Sequence, residues 1–430
     1  MRIDRLEIEN FKKFSKQSFD LHPKFTLLVG DNGSGKTSVL DALAVAIGIW
    51  QQAAPGSGWR NILQEEIRVH SVSLGDRRYF EPELPTTILA LGKIGSEERL
   101  RWNRMVLKSG GRTVSTESVE ALSAIRNLVQ EAERQRAPLP VLAYYGAGRA
   151  WMPSKKRAPA STSERKPQQF DAYRNCLDTP IRDRELNEWF LLEIAAAYAH
   201  GAARPGFRVV KQAVMGCIPG ADDLQYDGDL KEIVLSIHGF KQPFHNLSAG
   251  QRMMLAMVAD IAIKAVTLNS YLFAYENPGR DDPMQVLQQS PGIVLIDELD
   301  VHLHPKWQRR VATNLKETFP SIQFVCTSHS PQVIGEVQPE EIRLLDEHGA
   351  ATTPSRSFGI DSSRILEEVM DAKPRNDAVG VLLQEVFSLI DKEDFDAARR
   401  LMPKVELKLG PDDPEVTRAR TLLTFLESKA

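Results

Sequence analysis

Eight consecutive residues near the N-terminus, Gly30-Asp31-Asn32-Gly33-Ser34-Gly35-Lys36-Thr37, constrain this chain more than any other feature. They satisfy the spacing G-x-x-x-x-G-K-[ST] at Gly30, Gly35, Lys36 and Thr37. Residues 25–29 before them form a short apolar run, and Val39, Leu40, Leu43, Val45, Ala46 and Ile47 after them recur at helical spacing. Strand, glycine-rich turn and helix in that order let backbone N–H groups converge on phosphate oxygens at a helix N-terminus. Gly30, Asn32, Gly33 and Gly35 are expected to wrap a nucleotide's phosphates, with Ser38 lining the same pocket. Lys36 is expected to reach the β- and γ-phosphates, and Thr37 to hold Mg²⁺. The expected ligands are ATP and Mg²⁺.

A second constellation lies far downstream. Residues 293–296, Ile-Val-Leu-Ile, form a buried-strand run that ends on Asp297 and Glu298. Acids at the C-terminal end of such a strand stand where α/β sheets place ligands. Asp297 suits the Mg²⁺ shell, and Glu298 is placed to polarise an attacking water. Between these two motifs, Leu247-Ser248-Ala249-Gly250-Gln251 precedes an apolar helix over 251–268, a further anion-compatible helix start. After them, Thr327-Ser328-His329-Ser330-Pro331 closes a buried strand over 322–327 and sets His329 at its end.

The remaining pattern alternates short strands (2–8, 139–145, 231–237, 341–345) with helices (114–136, 185–200, 305–318), which predicts α/β layering. From about residue 373 three helices are expected, 377–390, 394–409 and 414–428. Gly410 closes the second, and Asp413-Pro414 opens the third. The length of 430 residues suits two or three domains. We divide it into a head over 1–372, containing an inserted lobe over about 50–245, and a helical extension over 373–430. The formal net charge of −3 excludes chain-wide attraction to nucleic acid or an anionic membrane. Local contact remains open in the loop 149–184, which carries nine Lys or Arg against four acidic residues. Cys176, Cys217 and Cys326 show neither metal-ligand nor disulfide spacing. No signal peptide and no run of roughly 20 apolar residues is present, so no membrane contact and a cytoplasmic location are expected. His302 and His304, two apart before Pro305, suit a shaped turn better than a zinc site.

Taken together, Asn10-Phe11-Lys12-Lys13-Phe14, the P-loop, Leu247–Gln251, residues 297–305 and Thr327–Pro331 resemble the ABC ATPases of the SMC/RecF class, over most of residues 1–370. Within that class the chain is similar to small bacterial phage-defence ATPases, such as an OLD-type head without its Toprim domain and the Septu ATPase subunit PtuA. The resemblance implies an ABC-type P-loop head with an inserted mixed and helical lobe. It implies that Asp297 is the Walker B acid, Glu298 the catalytic base and His329 the switch histidine. It makes Ser248, Gly250 and Gln251 a signature that closes on the partner subunit's nucleotide, and Asp300 a D-loop residue crossing that interface. It also implies a homodimer or larger homo-oligomer. One of Lys12 and Lys13 takes the basic role beside the phosphates, and Arg149 is a candidate for the pocket. Gln168 and Gln169 offer no convincing Q-loop. The implied output is control of a separate HNH-type nuclease in anti-phage defence, the alternative being a RecF-like DNA-binding repair ATPase. A self-contained nuclease is disfavoured because residues 373–430 are short and helical. A transporter subunit is disfavoured by the gap of about 210 residues between P-loop and signature.

Overall fold

A computed structural model of the chain describes residues 1–55, 60–74, 77–148, 169–179, 183–201, 204–273, 284–373 and 375–427. Strand β1 (Arg2–Phe11) turns through Lys12 and Lys13 into β2 (Phe14–Asp20), and β3 (Phe25–Gly30) leads into helix α1 (Lys36–Ile47). A ribbon of β4 (Val69–Leu74) and β5 (Arg77–Pro82) precedes β6 (Thr86–Ile94), β7 (Glu97–Val106), α2 (Val119–Glu133) and β8 (Val141–Tyr145). Helices α3 (Asp183–His200) and α4 (Pro205–Cys217) lead to β9 (Ala221–Asp227), β10 (Glu232–Ile237) and β11 (Phe240–Pro243). Then follow α5 (Ala249–Leu268), β12 (Gly292–Ile296), α6 (Pro305–Thr318), β13 (Ile322–Thr327), β14 (Ile342–Leu345) and β15 (Ala351–Thr352).

The central sheet has the order β15-β14-β3-β13-β12-β8, with β15 antiparallel at its edge and the other five strands parallel. Strands β8, β12 and β13 are buried along their whole length, as expected of parallel strands covered on both faces. A parallel sheet collects the C-terminal ends of its strands on one side. Register aligns Ile296 with Cys326 and Tyr145, and Thr327 with Leu28. That alignment brings together the turns after β3, β12 and β13, which hold the sequence motifs.

A second, antiparallel sheet has the order β2-β1-β6-β7. Helix α1 lies between the two sheets, touching β1, β6 and β7 on one side and β3, β12 and β13 on the other. This double covering explains why α1 is apolar nearly all round, with Val39, Leu40, Leu43, Val45 and Ile47 all buried. Trp102 Nε1 donates to Ala46 O at 3.0 Å and fixes the end of α1 against β7. Gln323, a buried polar residue within β13, accepts from Ile3 N at 2.9 Å and donates to Ile3 O at 2.7 Å. It satisfies backbone groups where the pairing of β1 with β6 shifts register between Ile3 and Arg5.

Several expectations change in detail. Residues 86–106 and 141–145, placed by sequence in an inserted lobe, instead build the antiparallel sheet and the edge of the central sheet. Helix α2 starts at Val119 rather than near 114, because Asn103 Oδ1 takes the N–H groups of Thr116 and Glu117 at 3.0 and 3.2 Å. Helix α4, with Pro205 in its first turn, adds an element between the expected helix 185–200 and strand 231–237. Most of the basic loop 149–184, including Arg149, Lys155, Lys156, Arg157 and Gln168, lies outside the described residues.

The chain divides into two compact units, Met1–Asp361 and Ser362–Ala430, where the sequence reading draws the line at 372/373. The second unit adds α7 (Ser362–Glu368) to α8 (Asp377–Asp391), α9 (Phe395–Leu409) and α10 (Pro414–Glu427). It has its own apolar core, including Val386, Ile390, Val405, Val416 and Leu423. Asn376, Asp394 and Asp413 accept from the first-turn amides of its three long helices. Gly410 ends α9 at φ 87°. The three cysteines are buried and no disulfide joins them. No helix among the described residues is long and apolar enough to cross a membrane.

Candidate nucleotide site

The site is built on the turn from β3 into α1. Gly35, the residue before α1, adopts φ 104°, and a Cβ there would stand 2.5 Å from the Phe14 ring. A left-handed backbone and a close ring both demand glycine. No side chain caps α1, so its first-turn N–H groups take no side-chain acceptor from the chain. Ser34 Oγ is buried without a hydrogen-bond partner at the same turn. Asp31, Asn32, Gly33 and Thr37 are exposed, and Ser38 is half-buried behind them. Lys36 is 8% exposed and donates to Gly30 O at 2.8 Å and Asp31 O at 2.9 Å. Burial lowers its pKa, and Asp297, Asp31 and Glu298 oppose that shift.

The acids arrive from β12. Asp297 N donates to Tyr145 O at 2.8 Å, continuing the sheet pairing one residue past the strand. Asp297 Oδ2 accepts from Thr37 Oγ1 at 3.0 Å, so the expected metal-binding hydroxyl and carboxylate share one place. Oδ1 accepts from Thr327 Oγ1 at 2.7 Å. Glu298 holds a left-handed backbone at φ 51°, rare for a residue with a side chain and often found at functional turns. Its N–H donates to Thr327 Oγ1 at 2.7 Å. Thr327 therefore joins the site, a residue whose role the Thr327–Pro331 motif does not by itself disclose. The signal is a hydroxyl at the end of the strand lying between β3 and β12.

The next turn is tied to His329. Ser328 Oγ donates to Asp300 Oδ1 at 2.5 Å, and His329 N approaches the same oxygen at 3.4 Å. His329 is half-buried, one residue beyond Ser328. Gln308 of α6 donates to the carbonyls of Asp300 and Leu303 and accepts from Ser330 Oγ, fastening the two turns to one helix. His304 Nδ1 accepts from Lys306 N at 3.2 Å and caps α6. Among the described residues no cluster of three or more His, Cys, Asp or Glu could hold a metal ion. The set Thr37 and Asp297 fits Mg²⁺, which takes one or two protein oxygens and completes its shell with phosphate and water.

Lys12 and Lys13 separate in role. Lys13 Nζ donates to Gly33 O at 2.6 Å and Glu347 O at 2.8 Å, lying across the P-loop. Lys12 instead pairs with Asp41 on α1 and stands 3.6 Å from Glu66. Asp41 also accepts from Tyr144 Oη at 3.1 Å, and Tyr145 Oη donates to Asp260 on α5 at 2.6 Å. The paired tyrosines thus tie β8 to α1 and to α5. Gln169 donates to Leu268 O at 2.5 Å at the end of α5 and is structural.

Ser248, Gly250 and Gln251 stand at the start of α5. Ser248 Oγ accepts from Gln251 N at 3.3 Å and Gln251 Oε1 accepts from Ser248 N at 2.9 Å, a reciprocal capping box. Ser248 is exposed, whereas Gly250 is buried. A Cβ at Gly250 would meet His302 O at 2.3 Å, so this helix start presses on the turn that carries Asp300. Among the described residues no hydrogen bond joins Ser248 or Gln251 to residues 30–38. The structure thus gathers Lys36, Thr37, Asp297 and Glu298 at one place, with Asp300 and His329 on adjoining turns, and leaves the Leu247–Gln251 motif on a separate helix start.

A parallel sheet with a P-loop, a downstream acid pair and a helix start of this kind defines an ABC-type P-loop ATPase head. Residues 2–351 match the RecF/RecN/SMC N terminal domain, and the chain belongs to that family. The Retron Ec83 probable ATPase of Escherichia coli is 25% identical over 488 residues, spanning 96% of this chain and 85% of that protein. The Septu protein PtuA of Bacillus mycoides (strain KBAB4) is 22% identical over 353 residues, 80% of this chain but 40% of PtuA. An SMC head domain from Thermotoga maritima aligns with 83% of this chain and 100% of its own at 15% identity, with a TM-score of 0.46. The expected kinship with SMC/RecF-class ATPases close to phage-defence proteins is borne out.

Proposed function

We propose that this chain binds ATP with Mg²⁺ and hydrolyses it in a dimer whose two sites are each completed by the other subunit. The observation that carries the reading is the junction of Thr37 and Asp297 at 3.0 Å beside buried Lys36. Lys36 and the α1 amides bind the phosphates, and Thr37 with Asp297 holds the metal. Bound Mg²⁺ supplies charge neutralisation at the β- and γ-phosphates. Glu298 orients and deprotonates the attacking water, and His329 contacts the γ-phosphate side. Lys13 adds positive charge over the loop. Ser248, Gly250 and Gln251 close on the partner's nucleotide, and Asp300 lies at the interface between them. Support for this is the exposure of Ser248 at the start of α5, together with the lack, among the described residues, of any hydrogen bond from Ser248 or Gln251 to residues 30–38.

The ATP cycle controls a separate effector, an HNH-type nuclease acting in anti-phage defence. Support for that output is the kinship with a Septu protein and with retron ATPases. The test of the core reading is the pair Lys36→Ala and Glu298→Gln. Lys36→Ala removes charge-assisted hydrogen bonds to phosphate and should weaken ATP binding roughly hundredfold. Glu298→Gln should keep affinity and lower turnover by roughly a hundredfold or more. Unchanged ATP affinity in Lys36→Ala overturns the reading.

A further inference from the structure

One buried hydroxyl supports the whole turn that carries the two acids. Thr327 ends β13, the strand between the P-loop strand β3 and β12, and it is fully buried. Its Oγ1 donates to Asp297 Oδ1 at 2.7 Å and accepts from Glu298 N at 2.7 Å. Its backbone carbonyl accepts from Leu299 N at 2.8 Å. Three successive residues of the turn therefore rest on one threonine.

We propose that Thr327 is a positioning residue for nucleotide hydrolysis, orienting the Asp297 carboxylate toward the metal position beside Thr37 and holding Glu298 in its left-handed backbone. The proposal deepens the ATPase reading above and rests on it. The terminal torsion of an aspartate is broad, so one hydrogen bond leaves its carboxylate plane poorly defined. The bond from Thr327 to Oδ1 supplies a second anchor and leaves Oδ2 to Thr37. A hydroxyl is both donor and acceptor, so one oxygen serves the acid and the following amide together. Valine keeps the shape and loses both bonds. Serine keeps both bonds and loses a methyl group.

The test uses the full chain as wild type, Thr327→Val and Thr327→Ser. Affinity for a fluorescent ATP analogue is measured in EDTA and in Mg²⁺, and turnover is followed across a Mg²⁺ titration. Thr327→Val should bind the analogue in EDTA like wild type and lose the gain in affinity that Mg²⁺ brings. Its kcat should fall about tenfold or more, as expected for losing hydrogen bonds to a charged group, with half-saturation shifted to higher Mg²⁺. Thr327→Ser should restore both. Wild-type kcat and Mg²⁺ dependence in Thr327→Val, or failure of serine to rescue, overturns the proposal. If the valine variant does not fold, Thr327→Ala against Thr327→Ser isolates the hydroxyl by the same two readouts. Absence of turnover in the wild type would instead count against the ATPase reading, and the Mg²⁺-dependent affinity would still judge Thr327.

Discussion

Lys36 and Gly35 show how much of the site is decided by single residues. Lys36 is charged yet nearly buried, held by two carbonyls of its own loop and by the field of Asp297, Asp31 and Glu298. An ammonium so placed meets phosphate with little rearrangement. Gly35 allows that placement because it accepts φ 104° under the Phe14 ring. Gly35→Ala should therefore cost about 1–3 kcal/mol of stability and weaken ATP binding, read by thermal unfolding with and without nucleotide. Glu298 carries the same kind of strain at φ 51°. Glu298→Gly relieves the backbone and deletes the carboxylate, so turnover should fall by roughly a hundredfold or more. Turnover near the wild-type rate would remove Glu298 from the chemistry.

At the scale of elements, the site depends on how β12, β13 and α5 meet. The start of α5 presses on His302 O through Gly250, Asp300 bonds Ser328, and Thr327 bonds Asp297 and Glu298. These contacts form a physical chain from the Leu247–Gln251 motif to the acids of the same subunit. Gly250→Val places a side chain where 2.3 Å is available to its Cβ. It should lower turnover about tenfold or more while affinity for ATP stays within about threefold, because the clash displaces the Asp300 turn and leaves the P-loop in place. Parallel kinetics and binding titrations check this. Much of this arrangement was legible beforehand. The P-loop, the buried run ending on Asp297 and Glu298, and the strand before His329 are local patterns, and each forms the element its pattern predicts. What escaped was set by non-local pairing. The hairpin β6–β7 finds its partner in β1, and Asn103 of the preceding strand β7 shortens α2 by taking the amides of Thr116 and Glu117. The role of Thr327 exists only through the register that puts Cys326 beside Ile296. Lys12 and Lys13 could not be ranked until the turn between β1 and β2 sent one to Asp41 and the other across Gly33.

At the scale of the molecule, two compact units share the chain, and each has its own core. Ile390 is 2% exposed in the helical unit, so Ile390→Ala should destabilise that unit by about 2–5 kcal/mol. Hydrogen exchange across residues 377–427 would report the loss, and wild-type protection there would contradict it. The head belongs to the RecF/RecN/SMC family, and among the described residues no hydrogen bond joins Ser248 or Gln251 to the phosphate loop. The central claim is that a second copy completes each site. Mixing two inactive variants tests it most directly. Lys36→Ala spoils the phosphate loop, and Ser248→Arg blocks the exposed helix start. A mixed dimer holds one intact site, formed by the P-loop of one variant and the Ser248 motif of the other. The account predicts that ATP turnover, absent in either variant alone, returns when the two are mixed. Mixtures that stay as inactive as their components, under conditions where wild-type subunits exchange, would contradict it.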